Sequence, residues 1–323
     1  MFTAKKIVIA GGSGFIGQAM AGRWAAANEI IVLSRQLPTE NNAYGTKMIS
    51  DKIRTVKWDG THIGAWTKYL DGADILINLA GKSVNCRYNE ANKAEIIRSR
   101  LDATKVLGNA VNTVKNPPKL WINAASATIY RHATDRPQDE YTGAIEDDFS
   151  VQVCKQWEQT FYDQYTPQTR KAALRTAITL GNGGVMIPYF NLVKYGLGGK
   201  QGSGRQMYSW VHVTDLCRVV EYIFEHEAMN GTYNVSAPNP VTNHVFMKTL
   251  RSICGRCCGL PAYEWMLQIG TRLIGTEAEL ILKSRWVLPA RLSEAGFVFE
   301  FPRLEMALKN IVAQVPRRRY HLF

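Results

Sequence analysis

Ile7-Val8-Ile9-Ala10-Gly11-Gly12-Ser13-Gly14-Phe15-Ile16-Gly17 is a short β-branched run that passes straight into glycines at positions 11, 14 and 17. Phe15 to Asn28 then reads as a helix, so the glycines fall where a strand turns into a helix N-terminus. At such a junction the first backbone N–H groups of the helix point outward and favour an anion. Glycine is needed because a side chain would stand between that backbone and a diphosphate. A strand before and a helix after distinguish a dinucleotide loop from a bare glycine turn.

Working outward, further β-branched runs follow at Ile30 to Leu33, Thr55 to Trp58, Ile75 to Leu79, Leu120 to Ala124 and Ala172 to Thr176. Helical patterns at Asn89 to Thr113 and Val151 to Gln164 lie between them. Strands alternating with helices imply a parallel sheet with crossover helices. The expected fold is therefore α/β, a Rossmann-type doubly wound parallel sheet with a smaller C-terminal α/β substrate lobe. Residues 1–240 are read as the dinucleotide-binding domain and 241–323 as the small lobe, ending in an amphipathic helix near Leu304 to Val312. Glycines 181, 183, 184, 196, 198, 199, 202 and 204 mark loops within 181–212 that are expected to line a cleft.

An apolar fraction of 46% and a charged fraction of 20%, with no repeat or heptad, fit a globular chain rather than a disordered or solenoid one. Lys and Arg outnumber Asp and Glu by 39 to 27, but the excess is scattered and matches no nucleic-acid module. Arg317-Arg318-Arg319 reads as a solvated tail. No apolar run reaches membrane-spanning length, and the first strand leaves no room for a signal peptide, so a cytoplasmic location is expected. Six cysteines, with Cys254, Cys257 and Cys258 clustered, lack the second ligand pair of a zinc site and read as reduced thiols, so no metal is expected. A small-molecule partner is expected, and a homodimer stays open.

Ser34-Arg35 ends the second strand, where an NAD-preferring site carries an acidic residue for the ribose hydroxyls. Arginine there suits a 2′-phosphate, which favours NADP(H). Leu79-Ala80-Gly81 lets the backbone pass close to the dinucleotide, and Trp58-Asp59 is placed to flank the adenine.

With these residues in view, the chain resembles the extended short-chain dehydrogenases, specifically the atypical epimerase-family branch called YfcH-like, along nearly its whole length. Gly11 to Gly17, Ser34-Arg35, Asn78 to Gly81, Lys93 to Thr104 and Leu174 to Gly181 carry the likeness. So do Gly198-Gly199, Gly202 to Gln206, Trp210 to Asp215, Leu288 to Leu292 and Ala295 to Phe297, the Gly-Ser-Gly-Arg-Gln and Leu-Pro-x-Arg-Leu segments being specific to the branch. The resemblance implies an NADP(H)-binding oxidoreductase or epimerase, with Gly11, Gly14, Phe15, Ile16, Gly17, Ser34, Arg35, Trp58, Asp59, Leu79, Ala80, Gly81, Glu95, Arg100 and Lys155 toward the cofactor.

Hydride transfer in that superfamily uses a Ser or Thr, a Tyr acid/base and a Lys four residues later. Ser126 is the serine candidate and Lys155 the lysine, but the tyrosine position holds Val151, which cannot move a proton. Tyr130 is the remaining phenol in the serine segment, and packing is the simpler reading of it. Arg100 replaces an asparagine of the proton relay, and Tyr208 stands where nucleotide-sugar enzymes carry a diphosphate-binding arginine. His212 is read as a packing or loop residue, Trp210 as a pocket wall and Asp215 as a helix cap. Two outcomes follow: an oxidoreductase or epimerase acting on an unknown small molecule, or a catalytically silent NADP(H)-binding scaffold or redox sensor.

Overall fold

The computed structural model describes residues 3–37, 52–273 and 275–321. The six expected strands are β1 (Lys6–Ala10), β2 (Glu29–Ser34), β3 (Ile53–Lys57), β4 (Ile75–Asn78), β5 (Leu120–Ser126) and β6 (Arg170–Thr176). Between them run α1 (Phe15–Trp24), α2 (Glu90–Val111) and α3 (Phe149–Asp163). Helix α1 ends four residues earlier than the sequence suggests. Asn28 explains the stop: its Nδ2 donates to the Trp24 carbonyl at 2.9 Å and its Oδ1 accepts from Lys5 N–H at 3.0 Å, turning the chain toward β2.

Next come β7 (Ile178–Leu180), α4 (Met186–Lys194), β8 (Met207–Tyr208), β9 (Trp210–His212), α5 (Val213–Glu225) and β10 (Gly231–Val235). The chain finishes with β11 (Val241–Thr242), α6 (Asn243–Ile253), α7 (Glu264–Leu273), α8 (Glu279–Leu282), α9 (Ala290–Glu294) and α10 (Leu304–Ala313). Strand β10, whose Gly-Thr-Tyr-Asn-Val carries no apolar run, joins the main sheet as a seventh member beside β6.

The sheet order is β3-β2-β1-β4-β5-β6-β10, and every neighbouring pair is parallel. In β1, Ile7 and Ile9 face the α1 and α5 side with Met20, Trp24, Val219 and Ile223, while Val8 faces the α2 side with Leu107, Trp121 and Phe161. Burial on both faces accounts for the unbroken apolar run of this strand. Strand order reverses between β1 and β4, which places a crevice beyond their C-terminal ends.

A second core joins Leu180, Phe190, Tyr208 and Trp210 to Phe246, Leu250, Phe301 and Leu308, so the smaller lobe draws on the glycine-rich segment as well as on the C-terminal helices. Among the described residues no helix is long and apolar enough to cross a membrane.

Candidate functional site

The crevice is built from the loops after β1 and β4. Leu79 N–H donates to the Ala10 carbonyl at 2.8 Å and Gly11 N–H to Leu33 at 2.9 Å, so both loops leave the sheet in contact. Gly11 has φ +74°, and a Cβ on it would lie 2.8 Å from the Ala80 backbone; at Gly17 a Cβ would lie 2.4 Å from Gly12 Cα. These two glycines are required by the chain's own packing.

Gly14 is different. A Cβ there would meet only the Gly11 carbonyl oxygen, at 3.7 Å, and φ is an ordinary −77°. Nothing in the chain needs glycine at this position, so the open space above it is room for something outside the chain. Asn89, Asp148, His212 and Thr242 cap α2, α3, α5 and α6 with their side chains, whereas no side chain caps α1. Helices α4, α8, α9 and α10 likewise lack a side-chain cap, so at α1 it is the open space above Gly14 together with the missing cap that leaves the first amides free for an anion.

The side chains of Ile16 and Leu79 pack against the core below. The Phe15 ring sits in a cup of glycines: a Cβ on Gly181, Gly183 or Gly184 would come within 2.7, 2.9 and 2.9 Å of it. These glycines, expected to line the cleft, instead seat the Phe15 ring of the glycine turn.

At the end of β2, Ser34 is buried and its Oγ accepts from Gln36 N–H at 3.3 Å. Arg35 is exposed and forms no ion pair among the described residues. Trp58 does not stand ready beside an adenine: only 3% of it is exposed, and it packs 5.6 Å from Trp66. The apolar wall between sheet and helix claims the ring. Asp59 is exposed and closes a turn, its Oδ1 accepting from Thr61 N–H at 2.9 Å and His62 N–H at 3.0 Å. Those backbone bonds, with His62 Nδ1, hold its carboxyl well below the usual range.

The β4 loop is shaped by Asn78, which is fully buried. Its Oδ1 accepts from Ala80 N–H at 3.1 Å, and its Nδ2 donates to Asn123 Oδ1 at 2.7 Å and Thr104 Oγ1 at 3.1 Å. Thr104 also accepts from Trp157 Nε1 at 3.1 Å. Arg100 donates from Nη1 to the Lys82 and Ile96 carbonyls at 3.0 and 2.9 Å, with its guanidinium 5.0 Å from the centre of the Trp157 ring. Burial lowers its pKa, and it has no carboxylate partner among the described residues. It also lies against Gly81, where a Cβ would stand 3.1 Å from its Cζ. Glu95 does not join this group; it accepts from Arg98 Nε at 3.0 Å, one turn along the same helix.

The three catalytic candidates are not brought together by hydrogen bonds. Ser126 Oγ donates to Thr128 Oγ1 at 3.0 Å and accepts from Thr128 N–H at 3.2 Å. Lys155 is exposed and pairs with Asp147 at 3.2 Å. Tyr130 is engaged on both sides: its hydroxyl donates to Asn234 Oδ1 at 3.0 Å and accepts from Arg175 Nη1 at 2.9 Å. Burial raises its pKa, and Arg175 is in turn held by both oxygens of Glu158 at 2.8 Å. This geometry gives Tyr130 a structural place. Val151 is fully buried with Ala127, Ile129, Cys154 and Val287.

Arg285, which no sequence signal marked, donates from Nε to Thr128 Oγ1 at 3.3 Å across a separation of 157 residues. A cavity of about 900 Å³ opens nearby, lined by the carboxylates of Glu146, Asp148, Glu264 and Glu279 and by Arg205 and Lys283.

Three residues of the neighbouring segment have roles that the sequence left open or misassigned. Trp210 is fully buried in the second core and is no pocket wall. His212, not Asp215, caps α5, its Nδ1 accepting from Thr214 N–H at 3.2 Å. Asp215 instead accepts from the Glu300 and Phe301 amides at 2.8 and 2.9 Å, tying the C-terminal segment to α5.

Burial lowers the His212 pKa from 6.5 to about 4. Between those values the unfolded chain binds a proton that the folded chain does not, so stability is lost as pH falls through that window. We expect a loss on the order of 2–3 kcal/mol from this residue. His212→Asn keeps an acceptor for the cap and should flatten that part of the pH profile. Urea denaturation at pH 7 and pH 4.5 measures it; equal losses in native and variant proteins would remove His212 from the account.

The sequence model for the NAD dependent epimerase/dehydratase family matches residues 7–236, and a domain of unknown function, DUF1731, matches residues 264–311. Epimerase family protein YfhF of Bacillus subtilis is 31% identical over 95% of this chain and 98% of its own. The crystal structure of human epimerase family protein SDR39U1 with NADPH superposes with a TM-score of 0.81 at 27% identity, covering 96% of this chain and 99% of that one. A nucleoside-diphosphate sugar epimerase from Corynebacterium glutamicum shares the fold, with a TM-score of 0.70 at 24% identity over 97% of this chain and 59% of that one. On its sequence and its fold, this chain belongs to the NAD dependent epimerase/dehydratase family.

Proposed function

We propose that this chain is an NADP(H)-dependent oxidoreductase or epimerase acting on a small molecule. The observation that carries the reading is the glycine cradle at the switch point, with open space above Gly14 and an uncapped α1 N-terminus. Its residues fit a dinucleotide: the α1 amides would receive the pyrophosphate, Arg35 the 2′-phosphate, and Ala80 and Gly81 the adjoining ribose by their backbone. Arg100, a cation without a carboxylate partner among the described residues, would lie toward the same ligand. When bound, the nicotinamide supplies or takes up hydride. The human relative crystallised with NADPH supports the cofactor class.

Charge-assisted contacts from Arg35 to a 2′-phosphate favour NADPH over NADH by about tenfold to a hundredfold. Fluorescence titration of both dinucleotides should show that preference in the native protein and its loss in Arg35→Ala. Equal affinities in the native protein would overturn the assignment to Arg35.

A second reading is a catalytically silent NADP(H)-binding scaffold or redox sensor, and the burial of Val151 in an apolar cluster favours it. A screen of carbonyl compounds for NADPH oxidation separates the two. If no compound turns over and Val151→Tyr creates activity, the silent reading holds.

A further inference from the structure

Three stretches of the chain, residues 164–214, 228–263 and 306–323, contain no Asp or Glu. The fold brings the later part of the first, the end of the second and the end of the third together. Leu260 N–H donates to the Gly196 carbonyl at 2.9 Å, Gly199 N–H donates to the Leu260 carbonyl at 3.0 Å, and Ala262 N–H donates to the Lys200 carbonyl at 2.9 Å. Lys194 Nζ reaches the Arg318 carbonyl at 3.0 Å, His321 Nε2 lies 2.7 Å from the Cys254 carbonyl, and Tyr320 packs against Phe190. Arg317–Arg319, expected as a solvated tail, is therefore docked beside α4 as a short helical turn, with all three residues exposed.

The same region exposes Tyr195, Leu197, Leu260 and Tyr263, Leu260 to 66%. Helix α7 continues it. Leu267 and Thr271 are its buried residues, and the opposite side of the helix carries Trp265 and Ile269 one turn apart, Trp265 exposed to 63%. Single exposed apolar side chains are ordinary, but a contiguous group marks a surface built for contact. Lys200, Arg256 and Arg317–Arg319 border the group, and none of them forms an ion pair among the described residues.

We infer that this face docks on the surface of an anionic phospholipid bilayer. Headgroup phosphates would take the cations, while Leu260 and Ile269 enter the acyl boundary and Trp265, Tyr263 and Tyr195 sit at headgroup level. A second copy of the chain would set two acid-free faces against each other, which like charge opposes. A nucleic acid would leave the aliphatic Leu260 and Ile269 without an apolar partner, because it offers phosphates and base faces. The net charge of +12 adds attraction toward an anionic surface at longer range. Attachment of this kind needs no spanning helix, and it goes beyond the cofactor reading without depending on it.

Flotation of the full chain tests it with vesicles of phosphatidylcholine alone and of phosphatidylcholine and phosphatidylglycerol in equal parts. The mixed vesicles should bind at least about tenfold more tightly, and added salt should weaken them. Trp265→Ser/Ile269→Ser and Arg317→Glu/Arg318→Glu should each weaken that binding by about tenfold or more. Lys105→Glu/Lys115→Glu makes the same change of charge at exposed positions outside this face and should leave binding within about threefold of the native protein. Circular dichroism and NADPH titration on the same samples verify that each variant is folded, and Leu260→Ser supplies an independent apolar test. Equal binding to the two vesicle types, or none to either, overturns the inference. So does self-association without lipid that Trp265→Ser/Ile269→Ser abolishes while vesicle binding persists, or a single-stranded oligonucleotide bound more tightly than the mixed vesicles.

Discussion

Gly14→Val should weaken NADP(H) binding by more than about a hundredfold, roughly 2.7 kcal/mol, while leaving the fold intact. Gly14 has the extended backbone that a β-branched residue adopts readily, and its Cβ would meet only one chain atom, at 3.7 Å. At the N-cap valine is less favourable than glycine by about 1 kcal/mol, a loss that a chain of this size tolerates. The valine methyls would instead fill the approach to the α1 amides. Gly17→Ala is the contrasting variant, since its Cβ would stand 2.4 Å from Gly12 Cα. That overlap should lower stability by about 1–3 kcal/mol along with binding. Fluorescence titration and thermal denaturation on both variants separate the two roles. Gly14→Val binding NADPH within threefold of the native protein would refute the placement of the diphosphate.

Glu158→Ala should be the most destabilising single change outside the loop. Glu158 on α3 holds Arg175 on β6 with two 2.8 Å bonds, and their side chains are 10% and 13% exposed. Removing the carboxylate leaves a buried guanidinium without its counter-charge, at a cost of about 3–5 kcal/mol. For a domain of this size the melting midpoint should fall by roughly 10 °C. The double variant Glu158→Leu/Arg175→Met removes both charges and should recover much of the loss. A drop below about 1 kcal/mol in Glu158→Ala would show that the pair is solvated in solution. Because Arg175 also supports the Tyr130 hydroxyl, the variant tests whether that phenol is held as part of the framework.

The strand runs, the crossover helices and the glycine turn between β1 and α1 were all legible in the sequence, because each depends on residues close together in the chain. Strand β10 was not, since Gly-Thr-Tyr-Asn-Val becomes a strand only by pairing with β6. Asp215 looked like a cap from its position before a helical pattern. His212 takes that role because its ring nitrogen reaches Thr214, while the Asp215 carboxylate is turned to amides 85 and 86 residues away. Trp58 and Trp210 sit beside functional motifs and were read as lining; their rings were drawn into the two cores, where large apolar area is best removed from water.

By itself the sequence determined the α/β class and the place of the glycine turn between β1 and α1. These are matters of local backbone geometry and residue chemistry, which a short stretch of chain encodes in full. Tertiary structure alone decided which side chains meet at the cleft. It set Tyr130 into the framework, turned Lys155 to Asp147, and brought Arg285 to Thr128 from 157 residues away. The last of these follows from how the second lobe packs on the first and the others from packing within the first, and no spacing in the sequence records either.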